Sequence, residues 1–286
     1  MRVLILFSTV LWGIMTSAFA GKSGADLTES DIEKSNARIQ KAFHSQKKEN
    51  SILEQNIPVG EVSFENDSFF VTFRPSLGME VLNCIDNTLY PLNQIGLNIE
   101  GNGHKGLTQR FSPQNIKDNV VNSFIEYKKK TQIPTEQATI IVEGFSAGAH
   151  RAIETATYLK QHADTKNHNV VVLRYAGANT FDDTAVNNIH KLLDKTNIID
   201  FHAKGDKIAA ILNMPGVTTS LGNQIEFSAE NSENFNKRVK NKAYTNLDPT
   251  VGFFIKALYN PAVWELHQPI TYAELSPKTF AEFKKK

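Results

Sequence analysis

The residues best suited to chemistry are Gly144-Phe145-Ser146-Ala147-Gly148. A serine hydroxyl is a weak nucleophile until a neighbouring base activates it and the backbone presents it clear of its surroundings. Here the pentapeptide follows an apolar run, Ile140-Ile141-Val142-Glu143, and precedes a segment with Ile153, Ala156 and Leu159 on one helical side. Strand, Gly-x-Ser-x-Gly and helix in that order describe a nucleophile elbow, with the serine on a strained turn and the glycines allowing close backbone approach. The helix N-terminus behind the serine favours negative charge developing there. The competing reading is an ordinary glycine-rich turn whose serine caps the helix.

An activated serine needs a base, and the base needs a carboxylate to orient it. Behind such an elbow the usual chain order is serine, then acid, then histidine. Asp206 lies in Lys204-Gly205-Asp206, the turn after the strand Ile198-Ile199-Asp200-Phe201-His202-Ala203. It therefore sits at a C-terminal strand edge, where parallel sheets gather their chemistry. Asp200, inside the strand, is the weaker candidate. Of the eight histidines only His267 follows Asp206, so the base is His267 by elimination; the alternative is a surface or core histidine. His104 and His150 read as structural. Cys84, the single cysteine, sits in Leu82-Asn83-Cys84-Ile85 with no histidine beside it and reads as a small apolar residue. Neither it, Met79 nor the scattered histidines make a cluster with metal-ligand spacing, and the chemistry requires no metal or organic cofactor.

The elements that must position these groups alternate along the chain. Residues 61–64 and 68–74 read as a β-hairpin across Glu65-Asn66-Asp67. A helix is expected over 113–130, opened by Pro113. Strands are expected over 139–143, 169–175 and 197–203, with helices over 147–161 and 181–194 between them. Apolar strands alternating with helices predict an α/β fold, a mostly parallel central sheet with helices on both faces. Residues 222–242 are polar and show no clear period. Helices are expected over 252–259 and 277–283. Before the hairpin, Thr28-Glu29-Ser30-Asp31 offers capping residues for a polar helix reaching about Lys48. That segment is either a docking or pro-segment or, more simply, a helix packed on the sheet.

The chain begins with Arg2, an apolar run from Val3 to Met15, and Ser17-Ala18-Phe19-Ala20. A membrane span needs about 20 apolar residues. This run is shorter and ends on small residues, the pattern of a secretory signal cut after Ala20. The expected product is a secreted or periplasmic chain, residues 21–286, forming one domain with a helical extension over about 21–55. Without Arg2 the 31 basic residues fall to 30 and balance the 30 acidic ones. That balance argues against nucleic acid, which calls for a basic surface. With 41% hydrophobic and 21% charged residues in 286, a sizeable core is available, and a disordered tail or a collagen-like repeat is excluded.

Ordered segments of the chain resemble the fungal-type triacylglycerol lipases, lipase class 3, of the α/β-hydrolase superfamily. Val71-Thr72-Phe73-Arg74-Pro75-Ser76 is similar to that family's strand ending in Phe-Arg-Gly and a hydroxyl residue. Gly103-His104-Lys105-Gly106-Leu107 is similar to its His-x-Gly-Phe segment, Ile141 to His150 to its elbow, and Tyr175-Ala176-Gly177-Ala178-Asn179 to its Phe-Gly-Ala-Pro strand end. Gly205-Asp206-Lys207-Ile208, with Met214-Pro215 after it, is similar to its Asp-x-Val and proline. The resemblance spans roughly residues 60–272. It departs at Pro75 for glycine, Phe145 for histidine, Ala149 for glycine, Asn179 for proline, and in the spacing from His267 to Tyr272.

The resemblance implies an α/β-hydrolase-type fold with Ser146 as nucleophile, Asp206 as acid and His267 as base. It also implies an oxyanion hole from Ser76 and the N–H of Ala147, and a mobile lid after Ser76. The apolar residues Leu77 to Leu92 read equally as a core strand and helix. The expected function is a secreted serine ester hydrolase, a lipase or carboxylesterase, with a lipid or small ester as substrate and transient contact with a lipid surface. Phospholipase A or lysophospholipase is the alternative within the class. A catalytically dead hydrolase-fold binding protein is the alternative outside it, and would show His267 out of reach of Ser146.

Overall fold

The computed structural model of the chain describes residues 22–44, 51–54, 57–65, 68–75, 93–94, 97–108, 112–131, 138–210, 218–241 and 261–286. The signal segment, Ser76, Met79, Cys84, the segment 77–92, Met214-Pro215 and the helix expected over 252–259 lie outside the described residues.

Among the described residues, seven strands form the central sheet: β1 (Ser51–Glu54), β2 (Ile57–Glu65), β3 (Ser68–Phe73), β4 (Thr139–Phe145), β5 (Asn169–Tyr175), β6 (Ile198–Ala203) and β7 (Asn223–Phe227). They lie side by side in chain order. The first two pairings are antiparallel. The next four are parallel. All C-terminal ends of β3 to β7 thus open on one edge, which is where Gly144 to Gly148 and Gly205 to Asp206 emerge.

The helices are α1 (Glu29–His44), α2 (Asn122–Thr131), α3 (Ala147–Gln161), α4 (Asp183–Leu192), α5 (Glu233–Asn241), α6 (Pro261–Leu266) and α7 (Pro269–Phe283), with shorter turns between them. Alternate residues of each strand point to opposite faces. In β4, Ile140 and Val142 join Phe124, Ile153, Ala156 and Ile189 from α2, α3 and α4. Ile141 and Phe145 join Ile32, Ile39, Tyr272 and Phe280 from α1 and α7 on the other face. The Ile, Val and Phe side chains among them, fully buried, each contribute about 1.5–3 kcal/mol. The sheet is sandwiched between helices on both faces, in accord with the α/β expectation.

The helix expected over 113–130 forms, with a π turn at Lys117–Val121 between α-helical parts. The polar stretch 222–242 contains β7 and α5. β7 is an edge strand in which only Ile225 and Phe227 turn inward, so its apolar period is too short to stand out. The last helix begins at Pro269, eight residues before the expected start, and carries Pro277 in its interior. A proline there removes one N–H bond, and reading it as a start misplaced the boundary. The early strand β1 was not expected. It pairs with β2 across an irregular register, a long-range partner that four residues do not announce.

The segment before the hairpin is built into this sandwich. α1 packs along α7, and Arg38 on α1 reaches through the apolar layer to Glu143 on β4, Nε to Oε1 at 2.7 Å and Nη2 to Oε2 at 3.0 Å. Glu143 is completely buried and also accepts from Thr72 Oγ1 at 2.7 Å. Arg38 stacks 3.6 Å over the Phe70 ring.

Candidate active site

Ser146 stands between β4 and α3 with φ +56° and ψ −121°. A non-glycine residue held there costs about 1–3 kcal/mol and persists only where its surroundings impose it. Two glycines impose it here. A Cβ on Gly144 would lie 2.1 Å from the Gly148 carbonyl oxygen, and one on Gly148 would lie 2.6 Å from that of Phe73. Ser146 N–H donates to the Tyr175 carbonyl at 2.9 Å. The turn is therefore clamped between β3, β5 and the first turn of α3, and the side chain projects from the C-terminal edge of the sheet.

His267 lies in the turn between α6 and α7. Its Nε2 is 2.9 Å from Ser146 Oγ. Its Nδ1 is 2.8 Å from Asp206 Oδ2 and 3.1 Å from Oδ1. With the proton on Nδ1, the ring donates to Asp206 and accepts from the serine hydroxyl. Ser146, Asp206 and His267 are thus brought together although 121 residues separate the serine from the histidine. Asp206 itself is held by the N–H groups of Ile208 and Ala209, both at 3.1 Å. Burial opposes its charge. The neighbouring His267, by charge and hydrogen bond, and the Ala209 N–H and Tyr272 hydroxyl outweigh burial and hold the carboxyl below its ordinary range.

Tyr272 completes the support. Its hydroxyl donates to Asp206 Oδ2 at 3.1 Å and accepts from Ala203 N–H at 3.1 Å. Burial, then the Asp206 charge, raises its pKa well above that of a free phenol, so it stays a donor. Phe145, where the fungal-type pattern has histidine, meets both the His267 ring (centroids 5.4 Å apart) and the Tyr272 ring (5.1 Å) edge to face. The loose spacing from His267 to Tyr272 therefore still delivers a phenol to the acid. A carboxyl with a lowered folded pKa lends stability that is present above the ordinary carboxylate range and lost as pH falls through the folded value. Tyr272→Phe removes one of its donors. The acid-side fall in stability is expected to begin at higher pH, with a loss of about 1.5–3 kcal/mol at neutral pH, read from urea unfolding at several pH values.

Ala147 is the first residue of α3, and its N–H is one of those a helix leaves without an internal acceptor. Ser76 follows Pro75, whose carbonyl oxygen accepts from Arg74 Nη1 at 2.8 Å, but is itself beyond the described segment. Asp200 is engaged elsewhere, accepting from Arg174 Nη1 and from Gln224 Nε2, the latter at 3.0 Å. His104 is buried, and burial followed by the nearby His150 lowers its pKa to about 4, so its ring is neutral. His150 directs Nδ1 to Thr180 Oγ1 at 2.7 Å and Nε2 to Glu154 at 3.3 Å, stacked on Phe181. Both histidines thus belong to the packing beside α3. The Arg38–Glu143 pair was missed, yet a carboxylate inside an apolar strand is a signal that a buried cation must face it.

No family model matches the chain, and no curated protein matches it in sequence. Solved structures do. The chain is similar to a deletion mutant of the Rhizomucor miehei lipase–propeptide complex, with 12% identity and a TM-score of 0.54 over 70% of this chain and 67% of that one. It is similar to a mutant of MDLA from Penicillium cyclopium, with 15% identity and a TM-score of 0.51 over 69% and 77% of the two chains. The same identity, score and shares hold for a structure from a family of fungal lipases with an unusual buried polar cluster. The fold the chain shares with these structures is of the α/β-hydrolase type.

Proposed function

We propose that the protein is a serine ester hydrolase acting on carboxylic esters, with lipid esters as the substrate class. The observation that carries this reading is the unbroken chain Ser146 Oγ, His267 Nε2, His267 Nδ1, Asp206 Oδ2 with links of 2.9 Å and 2.8 Å. A binding protein on the same fold would have no need to hold these three groups in contact. Ser146 attacks the ester carbonyl while its proton passes to His267 Nε2. The resulting oxyanion faces the Ala147 N–H and, by resemblance, Ser76. Collapse expels the alcohol, which takes the proton from Nε2. Water, losing a proton to the same nitrogen, then attacks the acyl-serine and releases the acid and free Ser146. Lipid as substrate rests on the fungal lipase fold and on the apolar residues 77–92. Export rests on residues 1–20.

A fluorophosphonate probe tests the reading. The folded protein is expected to take up one equivalent, mapped to the peptide bearing Ser146, and to hydrolyse nitrophenyl esters with a preference for longer acyl chains. Absence of labelling both in buffer and with detergent micelles would refute an activated serine. Labelling with a preference for acetate over long chains would keep the mechanism and remove the lipid.

A further inference from the structure

We infer that Arg238, on α5, is the positioning residue for the turn that carries His267; the inference rests on the hydrolase reading above. That turn is short, lies between α6 and α7, and must hold an imidazole to within a fraction of an ångström of Ser146. Arg238 spends all three of its nitrogens on the residues flanking it. Nε donates to the carboxylate of Glu265, two residues before His267. Nη2 donates to Thr271 Oγ1 at 3.1 Å, four residues after it. Nη1 donates to Glu274 Oε2 at 2.9 Å, seven residues after it. The ends are tied to each other as well. Thr271 Oγ1 donates to the Glu265 carbonyl oxygen at 2.7 Å, and Glu274 Oε1 is fixed by Ser232 Oγ at 2.6 Å.

The chemistry selects arginine. The Glu265 carboxylate is fully buried whereas the Arg238 side chain is 22% exposed. A planar fork with fixed N–H directions can address a carboxylate, a hydroxyl and a second carboxylate at once, whereas an ammonium is a point charge without that geometry. Arg238 therefore does two separable things: it neutralises Glu265, and it sets the distance between the end of α6 and the start of α7. Only the second bears on where the base sits. A displacement of about 1 Å at a catalytic group costs up to about 100-fold in rate.

The test separates the two. kcat and KM for a soluble nitrophenyl ester, per titrated active site, are measured beside the melting temperature for wild type, Arg238→Lys, Arg238→Met and the double variant Arg238→Met/Glu265→Gln. Arg238→Lys keeps the charge and loses the fork. It is expected to melt near wild type with kcat lowered about 10-fold and KM within about two-fold. Arg238→Met is expected to lower kcat about 100-fold and to melt lower. The double variant, relieved of its buried charge, is expected to regain the melting temperature but not the rate. Wild-type kcat in Arg238→Lys, or recovery of rate together with stability in the double variant, would overturn the positioning role and leave charge neutralisation alone. A wild type that neither labels nor turns over would overturn the hydrolase reading itself, and this inference with it. If Arg238→Met does not fold, Arg238→Lys decides.

Discussion

Ser146→Ala is expected to lower kcat for a nitrophenyl ester about 10⁶-fold, and Asp206→Asn about 10⁴-fold, with both variants folded. The difference follows from the geometry. In the proposed mechanism Oγ is the atom that would form the acyl-enzyme, and without it only water remains to attack. Asp206→Asn keeps the shape of the side chain but turns one oxygen into an NH₂ group, and so changes which groups donate. Asp206 accepts from His267 Nδ1, from Ile208 and Ala209 N–H and from the Tyr272 hydroxyl. An amide has one accepting oxygen. If that oxygen stays with the two backbone N–H groups, the NH₂ faces His267 and donates to Nδ1. The imidazole proton is then forced onto Nε2, where it cannot accept the proton of Ser146 at 2.9 Å. Steady-state turnover per mole of folded protein checks the first value, and stopped-flow acylation with active-site titration the second. Loss of no more than about 10-fold in Asp206→Asn would mean that the carboxylate neither selects the tautomer nor stabilises the imidazolium, contrary to its expected role.

The parts of this site that are local in sequence were legible there. Gly144-Phe145-Ser146-Ala147-Gly148 between an apolar strand and an amphipathic helix announces a turn, and α3 and β5 begin and end at the expected residues. Asp206 could be found because a turn after a parallel strand must open on the functional edge. His267 could be found only because no other histidine follows. What could not be read is what depends on partners distant in sequence. Nothing near Tyr272 says that its hydroxyl meets Asp206, 66 residues earlier. Nothing in the polar segment containing Arg238 says that it bridges to Glu265 and Glu274. Strand β7 escaped notice because an edge strand buries one side only. The same reason, a partner far away in the chain, hid Arg38 as the counter-charge of Glu143 on β4, and there a large effect on stability is expected.

Arg38→Met is expected to destabilise the protein by about 3–5 kcal/mol, because it leaves Glu143 as a buried, uncompensated carboxylate. Glu143 has no exposed surface and receives two N–H bonds from Arg38. The Thr72 hydroxyl that also donates to it carries no charge. For a domain of this size about 1 kcal/mol corresponds to about 2–4 °C, so a melting temperature on the order of 10 °C lower is expected. The double variant Arg38→Met/Glu143→Gln removes both charges and is expected to recover most of the loss, since a buried pair contributes little net stability compared with apolar or neutral replacements. The readout beyond melting is the phosphonylation rate of Ser146. Glu143 lies on β4, three residues ahead of Ser146 in the turn that follows, and Arg38 is carried by α1, so undocking α1 should slow labelling in proportion to the fraction of molecules opened. A labelling rate that falls in Arg38→Met and returns in the double variant would mean that the elbow strand depends on charge compensation from α1. Equal stability of the single and double variants would mean that Glu143 finds a proton or another donor when Arg38 is gone. In that case α1 would support the elbow through its apolar contacts, Ile32 and Ile39 against the sheet, and through packing alone.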